Sequence, residues 1–343
     1  MIYRRPFVPL LRRSSLALVG IALACPASAH HMGPSGVGGG GGMTVFGPAT
    51  LDEAHGSLWF RFIDTRPDQR SDSELQALGA QGIDAHNSSY DLNAAVGAAY
   101  GITHQLTISL EAPYVLHDSI RATEPGIGVE RLGSVGGIGD VSLLAKYRVT
   151  PEGPGGFALI AGIKLPTGST HERDRFGNRF ETEHQPGTGS WDPIFGVSVG
   201  AKLGGLNLAA SAIYQLAGKG AQETRLGNRL AGGIALSHHF GPAEEEHEDD
   251  DQDHAVPLER HVHSSSWDAF VELAGEVEGR QRIGNEVEQD SGGKWAWVAP
   301  GVTFTAASGW SATAAFAFPV WQRIRPSHPN NAYRFMLSLG HGF

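Results

Sequence analysis

The sequence predicts an all-β fold, an antiparallel transmembrane barrel of about twelve strands of the outer-membrane type. Three observations predict it. The first residues have the layout of an export signal, short segments of alternating hydrophobicity recur along the rest of the chain, and the last of these segments ends on Phe343.

The N-terminus has the layout of a secretory signal peptide. Met1–Arg13 carries four arginines and no acidic residue, Ser14–Ala24 is short and apolar, and Ala27–Ala29 has small residues at both ends. This order of basic, apolar and small residues is typical of a cleaved signal. We expect cleavage to remove residues 1–29.

The mature chain is predicted to start with a flexible tail at 30–55, tethered by Gly38–Gly42, and to form the barrel at 56–343. Removing four arginines from 26 basic and 36 acidic residues leaves a formal charge of -14, which argues against nucleic acid as a partner. Cys25 is the only cysteine. It leaves a lipoprotein as the weaker alternative, because Ala22–Ala24 matches the lipidation pattern poorly.

Alternating hydrophobicity recurs in segments of about ten residues, and no run of about twenty apolar residues follows the signal. Between Tyr90 and Tyr100, for example, every second residue is apolar or aromatic. In lipid every backbone N–H and C=O must be paired, and a closed barrel does this without free strand edges. The predicted strands are 56–64, 88–100, 106–115, 140–149, 157–165, 191–203, 206–215, 228–240, 266–277, 295–305, 310–320 and 332–343.

The final segment is the most diagnostic. Aromatic and apolar residues alternate from Tyr333 to the terminal Phe343. An alternating last strand with a C-terminal aromatic residue resembles the signal recognised by the outer-membrane insertion machinery. We therefore expect outer-membrane lipid and, through Phe343, that machinery as partners, and the outer membrane of a Gram-negative bacterium as the location.

A β-sandwich is the structural alternative, since it also has short alternating strands. Aromatic residues near the predicted strand ends favour a barrel, where they would form interfacial girdles. These residues are Trp59, Tyr100, Tyr114, Trp191, Tyr214, Trp267, Trp310 and Tyr333.

The lengths of the connections give a further test. An even strand number places both chain ends in the periplasm, with short turns on that side and the long connections 65–87, 116–139 and 166–190 outside. The connection Gly241–Ser265 breaks this pattern, since it is long and falls on the periplasmic side. Either a strand is miscounted or this insert, 241–265, has its own purpose.

Short glycine-containing motifs mark several predicted strand ends. They are Gly137-Ile138-Gly139-Asp140-Val141 running into Leu144–Arg148, then Gly162–Gly168, Gly187–Ser190 and Tyr100–Thr103. Together they resemble the outer-membrane protein family named after the meta-pathway of phenol degradation. The resemblance covers most of Ser88–Lys202 and implies an outer-membrane transporter for small solutes, with aromatic or hydrophobic compounds as one solute class.

Charged residues on the polar faces of the strands are candidates for lining a pore and setting its selectivity. The alternative is a small barrel filled by paired charges, which would make the protein structural and without an open pore. The Gly-x-Ser-x-Gly pattern at Gly196–Gly200 lies inside the predicted strand 191–203 and not at a strand-to-helix turn, and Gly136–Gly139 lacks the Lys-Ser/Thr of a phosphate loop, so we do not expect an enzyme. The candidates are Asp91, Glu111, Lys146, Arg148, Lys164, Lys202, Asp268 and Glu272.

Two histidine-containing stretches could bind divalent metals, because imidazole suits zinc, copper and nickel. One is the acidic insert around Glu244–Asp253, and the other is the predicted mature N-terminus. The alternative is a solvated loop and tail, and no spacing matches a fixed zinc motif. The sequence thus predicts no resident cofactor, with weak metal binding linked to cation export or tolerance as an alternative function. The candidate ligands are His30, His31, His247, His254, His261 and His263.

Overall fold

The computed structural model describes residues 42–123, 126, 128–151, 155–241 and 264–343. Its strands are β1 Gly56–Pro67, β2 Ala85–Asn87, β3 Tyr90–Thr103, β4 Leu106–Thr123, β5 Glu130–Ile138, β6 Ser142–Arg148, β7 Gly156–Lys164, β8 Asp192–Leu203, β9 Leu206–Gln215, β10 Thr224–Arg225, β11 Arg229–Phe240, β12 Ser266–Glu278, β13 Arg282–Ile283, β14 Glu286–Val287, β15 Gly293–Thr305, β16 Trp310–Ile324 and β17 Asn331–Gly342. The α-helix is α1, Asp72–Ala80, and 3-10 turns span Thr182–His184 and Ala221–Glu223.

Within the described residues, twelve of these strands form a closed antiparallel barrel, as predicted. Their order around the barrel is β1, β3, β4, β6, β7, β8, β9, β11, β12, β15, β16 and β17. The seam joins β17 back to β1, with Ser57 opposite Gly342. At its end the Gly56 N–H donates to the Phe343 carbonyl at 2.7 Å, and the Phe343 N–H donates to the Gly56 carbonyl at 3.0 Å.

The barrel wall is apolar on its outer face. On β12, Val271 is 52% exposed, while its neighbours Phe270 and Glu272 are buried. Leucine, isoleucine and valine at alternate positions are exposed in the same way on the other strands, which suits contact with lipid. They include Leu58, Val96, Leu110, Leu143, Leu159, Val197, Val199, Ile234, Leu236, Leu273, Val302, Leu337 and Leu339. Among the described residues, no helix is long and apolar enough to span a membrane.

Exposed aromatic residues lie near the strand ends, as expected for interfacial girdles. Tyr100, Trp267 and Trp310 are about half exposed. Trp59 was grouped with them in the sequence analysis, and for this residue the prediction is wrong. Its side chain is buried inside the barrel and its indole N–H donates to Glu111 Oε2 at 3.2 Å.

The connections separate into a short-turn end and a long-loop end. Turns such as 104–105 and 204–205 lie at the short-turn end, and the connections 68–89 and 165–191 lie at the long-loop end. Phe240 pairs with Trp267 across β11 and β12, so the segment between these strands belongs to the short-turn end. The strand count was therefore correct, and the insert is a true exception to the length rule.

Two predicted external loops contain regular structure. Helix α1 lies in the first, capped by Ser71, whose hydroxyl accepts from the Glu74 N–H while Glu74 accepts from the Ser71 N–H. The sequence Ser71-x-x-Glu74 has the pattern of this capping box, but the helix was not predicted from it. In the second loop, β4 continues to Thr123 and pairs with β5, which makes a hairpin that extends the wall.

Candidate functional site

The segment 42–51, here called the lumen segment, lies inside the barrel. The carbonyl of Gly47 accepts from Lys146 Nζ at 3.2 Å and from Ser198 Oγ at 3.1 Å. The Phe46 N–H donates to Ser211 Oγ at 3.0 Å. These wall residues belong to β6, β8 and β9, so the lumen segment is held by polar side chains on the inner face of the wall.

Glu272 of β12 holds the start of the lumen segment. Its carboxylate accepts from the Met43 N–H at 2.7 Å, from the Thr44 N–H at 3.1 Å and from the Thr44 hydroxyl. At the other end of the segment, the Leu51 N–H donates to Thr107 Oγ1 of β4 at 2.8 Å. Because β4 and β12 lie far apart around the barrel, the segment crosses the lumen from one side to the other.

Apolar contacts also hold the lumen segment against the inner wall. Met43 is 1% exposed and belongs to a buried cluster with Trp297 and Met336. Val45 packs with Ala209 and Ala235, both also buried. Residues 30–55 were predicted to form a flexible tail. The described part of that range instead lies against the inner wall through buried hydrogen bonds and apolar contacts.

Three of the glycine-containing motifs, those around Gly139, Gly168 and Gly187, meet at a clamp around Lys164, at the long-loop end of β7. Lys164 Nζ lies 2.7 Å from Asp140 Oδ2 and 3.0 Å from Asp192 Oδ2, and both aspartates are buried while Lys164 is partly buried. Asp140 also accepts from the backbone N–H groups of Gly168 and Thr188 at 2.9 and 2.8 Å. The motifs therefore fix both ends of the connection 165–191 to the wall.

Backbone packing explains the glycines of these motifs. A methyl group on Gly168 would lie 2.6 Å from Gly187 Cα and 2.7 Å from the carbonyl carbon of Gly139. A methyl group on Gly187 would lie 2.5 Å from the carbonyl carbon of Gly168. Three backbone segments thus approach one another at distances that only glycine permits.

We expect Gly187→Ala to loosen the connection 165–191, because the added methyl meets rigid backbone and costs about 1–3 kcal/mol. The measurement is the rate of trypsin cleavage in this connection, which carries Arg173, Arg175 and Arg179. Gly128→Ala is the matched control, since a methyl there has no atom within 4 Å. Equal cleavage rates for the two variants would contradict the packing argument.

The connection 165–191, here called the mouth loop, reaches across the long-loop end of the barrel. It joins the fifth and sixth barrel strands, yet Glu183 lies 3.9 Å from His328, between the eleventh and twelfth strands. Those two positions are on opposite sides of a twelve-stranded ring. Between these two positions, Phe180 of the mouth loop is buried against Ile120 and Val135.

Histidines from three connections surround Glu183, and together with it they are here called the mouth cluster: His86, His184 and His328. The ring centroid of His86 lies 4.2 Å from that of His184 and 4.3 Å from that of His328. His86 Nδ1 lies 3.5 Å from Glu183 Oε1. In the described part of the chain, the ion-pair partners of Glu183 are these histidines.

Burial controls the charges in the mouth cluster. It raises the pKa of Glu183 to about 8, with a smaller contribution from acidic neighbours such as Glu288. Burial lowers the pKa of His86 and His184 well below the usual histidine range. The imidazoles are therefore neutral near neutral pH, which is the form that binds a metal ion.

The predicted pore-lining residues divide by what they contact. Lys146 and Glu272 hold the lumen segment, and Lys164 belongs to the clamp. Lys202 is exposed beside the turn 204–205. Arg148 donates to the Gly155 carbonyl at 3.0 Å, near the short-turn end. That they line a conduit stays a prediction.

The remaining three candidates have side-chain partners on other strands of the wall. Glu111 pairs with Arg61. Asp91 Oδ1 lies 2.6 Å from His117 Nδ1, and Asp268 Oδ1 lies 3.0 Å from His239 Nδ1.

Other charged side chains of the lumen were missed. Arg229 Nε donates to Glu276 Oε2 at 2.7 Å, and Arg334 Nη1 lies 3.7 Å from Glu276 Oε1. The Arg334 guanidinium also stacks over the Trp297 ring at 4.6 Å. Strand parity could have found Glu276, because it alternates with Asp268 and Glu272 on β12. The predicted metal ligands at 30, 31, 247, 254, 261 and 263 lie outside the described residues.

Comparison with one solved structure agrees with the barrel fold. An outer membrane channel from Pseudomonas putida F1 is similar with a TM-score of 0.54 and 14% identity, over 86% of this chain and 97% of that chain. The β domain of the Bordetella autotransporter BrkA has a TM-score of 0.48 and 12% identity, over 85% and 100% of the two chains. No curated protein shows significant sequence similarity to the chain.

The model of one protein family matches the sequence over residues 66–261, which is more than half of the chain. The match includes every motif quoted above and all residues of the clamp around Lys164. The chain therefore belongs to the family described as "Putative MetA-pathway of phenol degradation".

Proposed function

We propose that the protein is a gated outer-membrane channel for small solutes. The proposal rests on what fills the lumen. Two chain segments cross it, while the wall that surrounds them is a complete barrel. The lumen segment precedes β1, and the mouth loop is a connection between strands. Segments of this kind can move without opening the hydrogen bonds of the wall, so a closed state can convert to an open one.

The inner wall supports aromatic solutes as the transported class. Trp297, Trp295 and Phe270 form an apolar strip on β12 and β15, and Arg334 stacks over one of these rings. Small aromatic molecules carrying a hydroxyl or carboxylate match such a strip, since rings stack on rings and the polar group meets the guanidinium. The similar Pseudomonas fold and the family membership support transport in place of catalysis.

The proposed placement puts the short-turn end in the periplasm and the long-loop end outside the cell, as is usual for bacterial barrels. Export through a signal peptide at 1–29 and insertion guided by Phe343 belong to the same proposal. The predicted signal lies outside the described residues, while Phe343 is half exposed at the barrel seam.

Single-channel recording in planar bilayers tests the proposal. Folded protein is expected to show stepwise current with long closed intervals, and phenol is expected to block it more strongly than cyclohexanol, which has similar size without an aromatic ring. Trp297→Leu should remove this preference, because it deletes the buried ring under Arg334. Trp267→Leu is the control, since this exposed ring lies on the outer face of the same wall.

The outcomes separate the alternatives. Current with no preference between phenol and cyclohexanol would keep the channel and reject the aromatic class. A folded barrel that shows no current at either polarity would reject the channel and favour a structural barrel.

A further inference from the structure

The mouth cluster brings together the donor set of a metal site. One ligand atom from each of His86, Glu183 and His328 can be chosen so that all three lie within 4.8 Å of one another. In a tetrahedral zinc site the ligand atoms stand about 3.4 Å apart, given bonds of about 2.0–2.1 Å. Small side-chain rotations would bring the three ligand atoms from within 4.8 Å to about 3.4 Å of one another. Glu183 already lies 3.5 Å from one ring nitrogen.

The chemistry of the donors selects the ion. Two imidazoles and one carboxylate suit zinc, copper or nickel, whereas calcium and magnesium prefer oxygen donors alone. His184 Nε2 lies 3.8 Å from Glu183 Oε1, beside these three ligands, and forms a second possible ligand group with Glu181 and Glu183. Among the described residues, no lysine or arginine forms an ion pair with Glu183, whose ion-pair partners are His86, His184 and His328.

We propose that His86, Glu183 and His328, with His184 beside them, bind a divalent transition-metal ion of the zinc class at the long-loop end of the barrel. The ligands come from three connections: 68–89, the mouth loop and 325–330. The bound ion would tie the mouth loop to the opposite side of the barrel. Metal binding stands independently of the channel proposal, and its effect on current rests on that proposal.

Cobalt and zinc titrations of the purified full chain, prepared without a histidine tag, test the site. Co²⁺ is expected to give the visible absorption of a four-coordinate site, and calorimetry is expected to show one tight Zn²⁺ site. His86→Ala/His328→Ala should abolish the absorption and weaken Zn²⁺ binding by more than about tenfold. His171→Ala is the matched control, because His171 is an exposed histidine on the same mouth loop.

Binding by histidines outside the described residues is common to all variants and cancels in the comparison. A heat-induced shift in gel mobility verifies that each variant is folded, and His328→Ala alone provides a milder change at a partly exposed position. Unchanged absorption in the folded double variant, or no absorption in the unmodified chain, would overturn the site.

The current recording separates the two proposals. If the site locks the mouth loop, EDTA should raise the open probability of the unmodified chain but not of the double variant. Tight Zn²⁺ binding in a folded barrel that never conducts would retain the metal site and reject the channel. Current without tight Zn²⁺ binding would retain the channel and reject the metal site.

Discussion

A chain that lacks both residues 43–50 and residues 171–184 is expected to carry on the order of ten times the single-channel current of the full-length protein. The lumen segment and the mouth loop obstruct the same lumen at different heights, so they act as two resistances in series. Removing one leaves the other, and each single deletion should raise the current by much less than the double deletion. Lys146 and Glu272 would then face water in the emptied lumen and be hydrated.

The control for these deletions is Lys202→Gln. This exposed charge at the short-turn end contacts neither segment, and its substitution should leave the current within the variation between preparations. Each variant needs the heat-induced gel shift of a folded barrel before recording. If the folded double-deletion variant and the full-length protein carry the same current, the two segments do not close the lumen.

Lys164→Met is expected to lower the free energy of unfolding by about 3–5 kcal/mol. The substitution keeps the length of the side chain but leaves Asp140 and Asp192, both buried, without their shared cation. Two carboxylates near one another in a poorly hydrated site repel, and each loses a charge-assisted hydrogen bond. The midpoint of heat or urea unfolding in detergent, followed by gel mobility, measures the loss.

The matched control is Lys219→Met. Lys219 forms an ion pair with Glu223, but both side chains are more than half exposed, so the loss should stay below about 1 kcal/mol. Combining Lys164→Met with Asp140→Asn and Asp192→Asn should restore part of the stability, because the unpaired charges are then gone. Equal losses for the lysine variants would show that the clamp contributes no more than a surface pair.

The strands were predictable because membrane and lumen impose opposite demands on neighbouring residues. Between Tyr90 and Tyr100 the alternation is nearly complete, and β3 includes that whole range. The extension of β4 to Thr123 was missed, since beyond the wall both faces meet water or loops and the alternation weakens. The helix α1 was not predicted for a different reason, because its only local signal is a capping box in a polar stretch.

The site was less predictable because its contacts depend on closure of the barrel. Lys146 and Glu272 were identified as inward by parity, but no local pattern links them to Gly47 or Met43. The mouth cluster joins residues as distant in sequence as His86 and His328, with no fixed spacing between them. The histidine-rich stretches of the sequence lie in other parts of the chain.

The seam between β1 and β17 has a consequence for biosynthesis. Every other pairing in the wall joins barrel strands that are consecutive in the chain, so those strands can associate as hairpins before the last strand is in place. The last pairing uses residues at the two ends of the barrel sequence, Gly56 and Phe343. Until β17 reaches β1 the wall can be no more than an open sheet with two unpaired edges. Closure of the barrel therefore requires the complete barrel sequence, and it also determines when the stretch before Gly56 becomes enclosed.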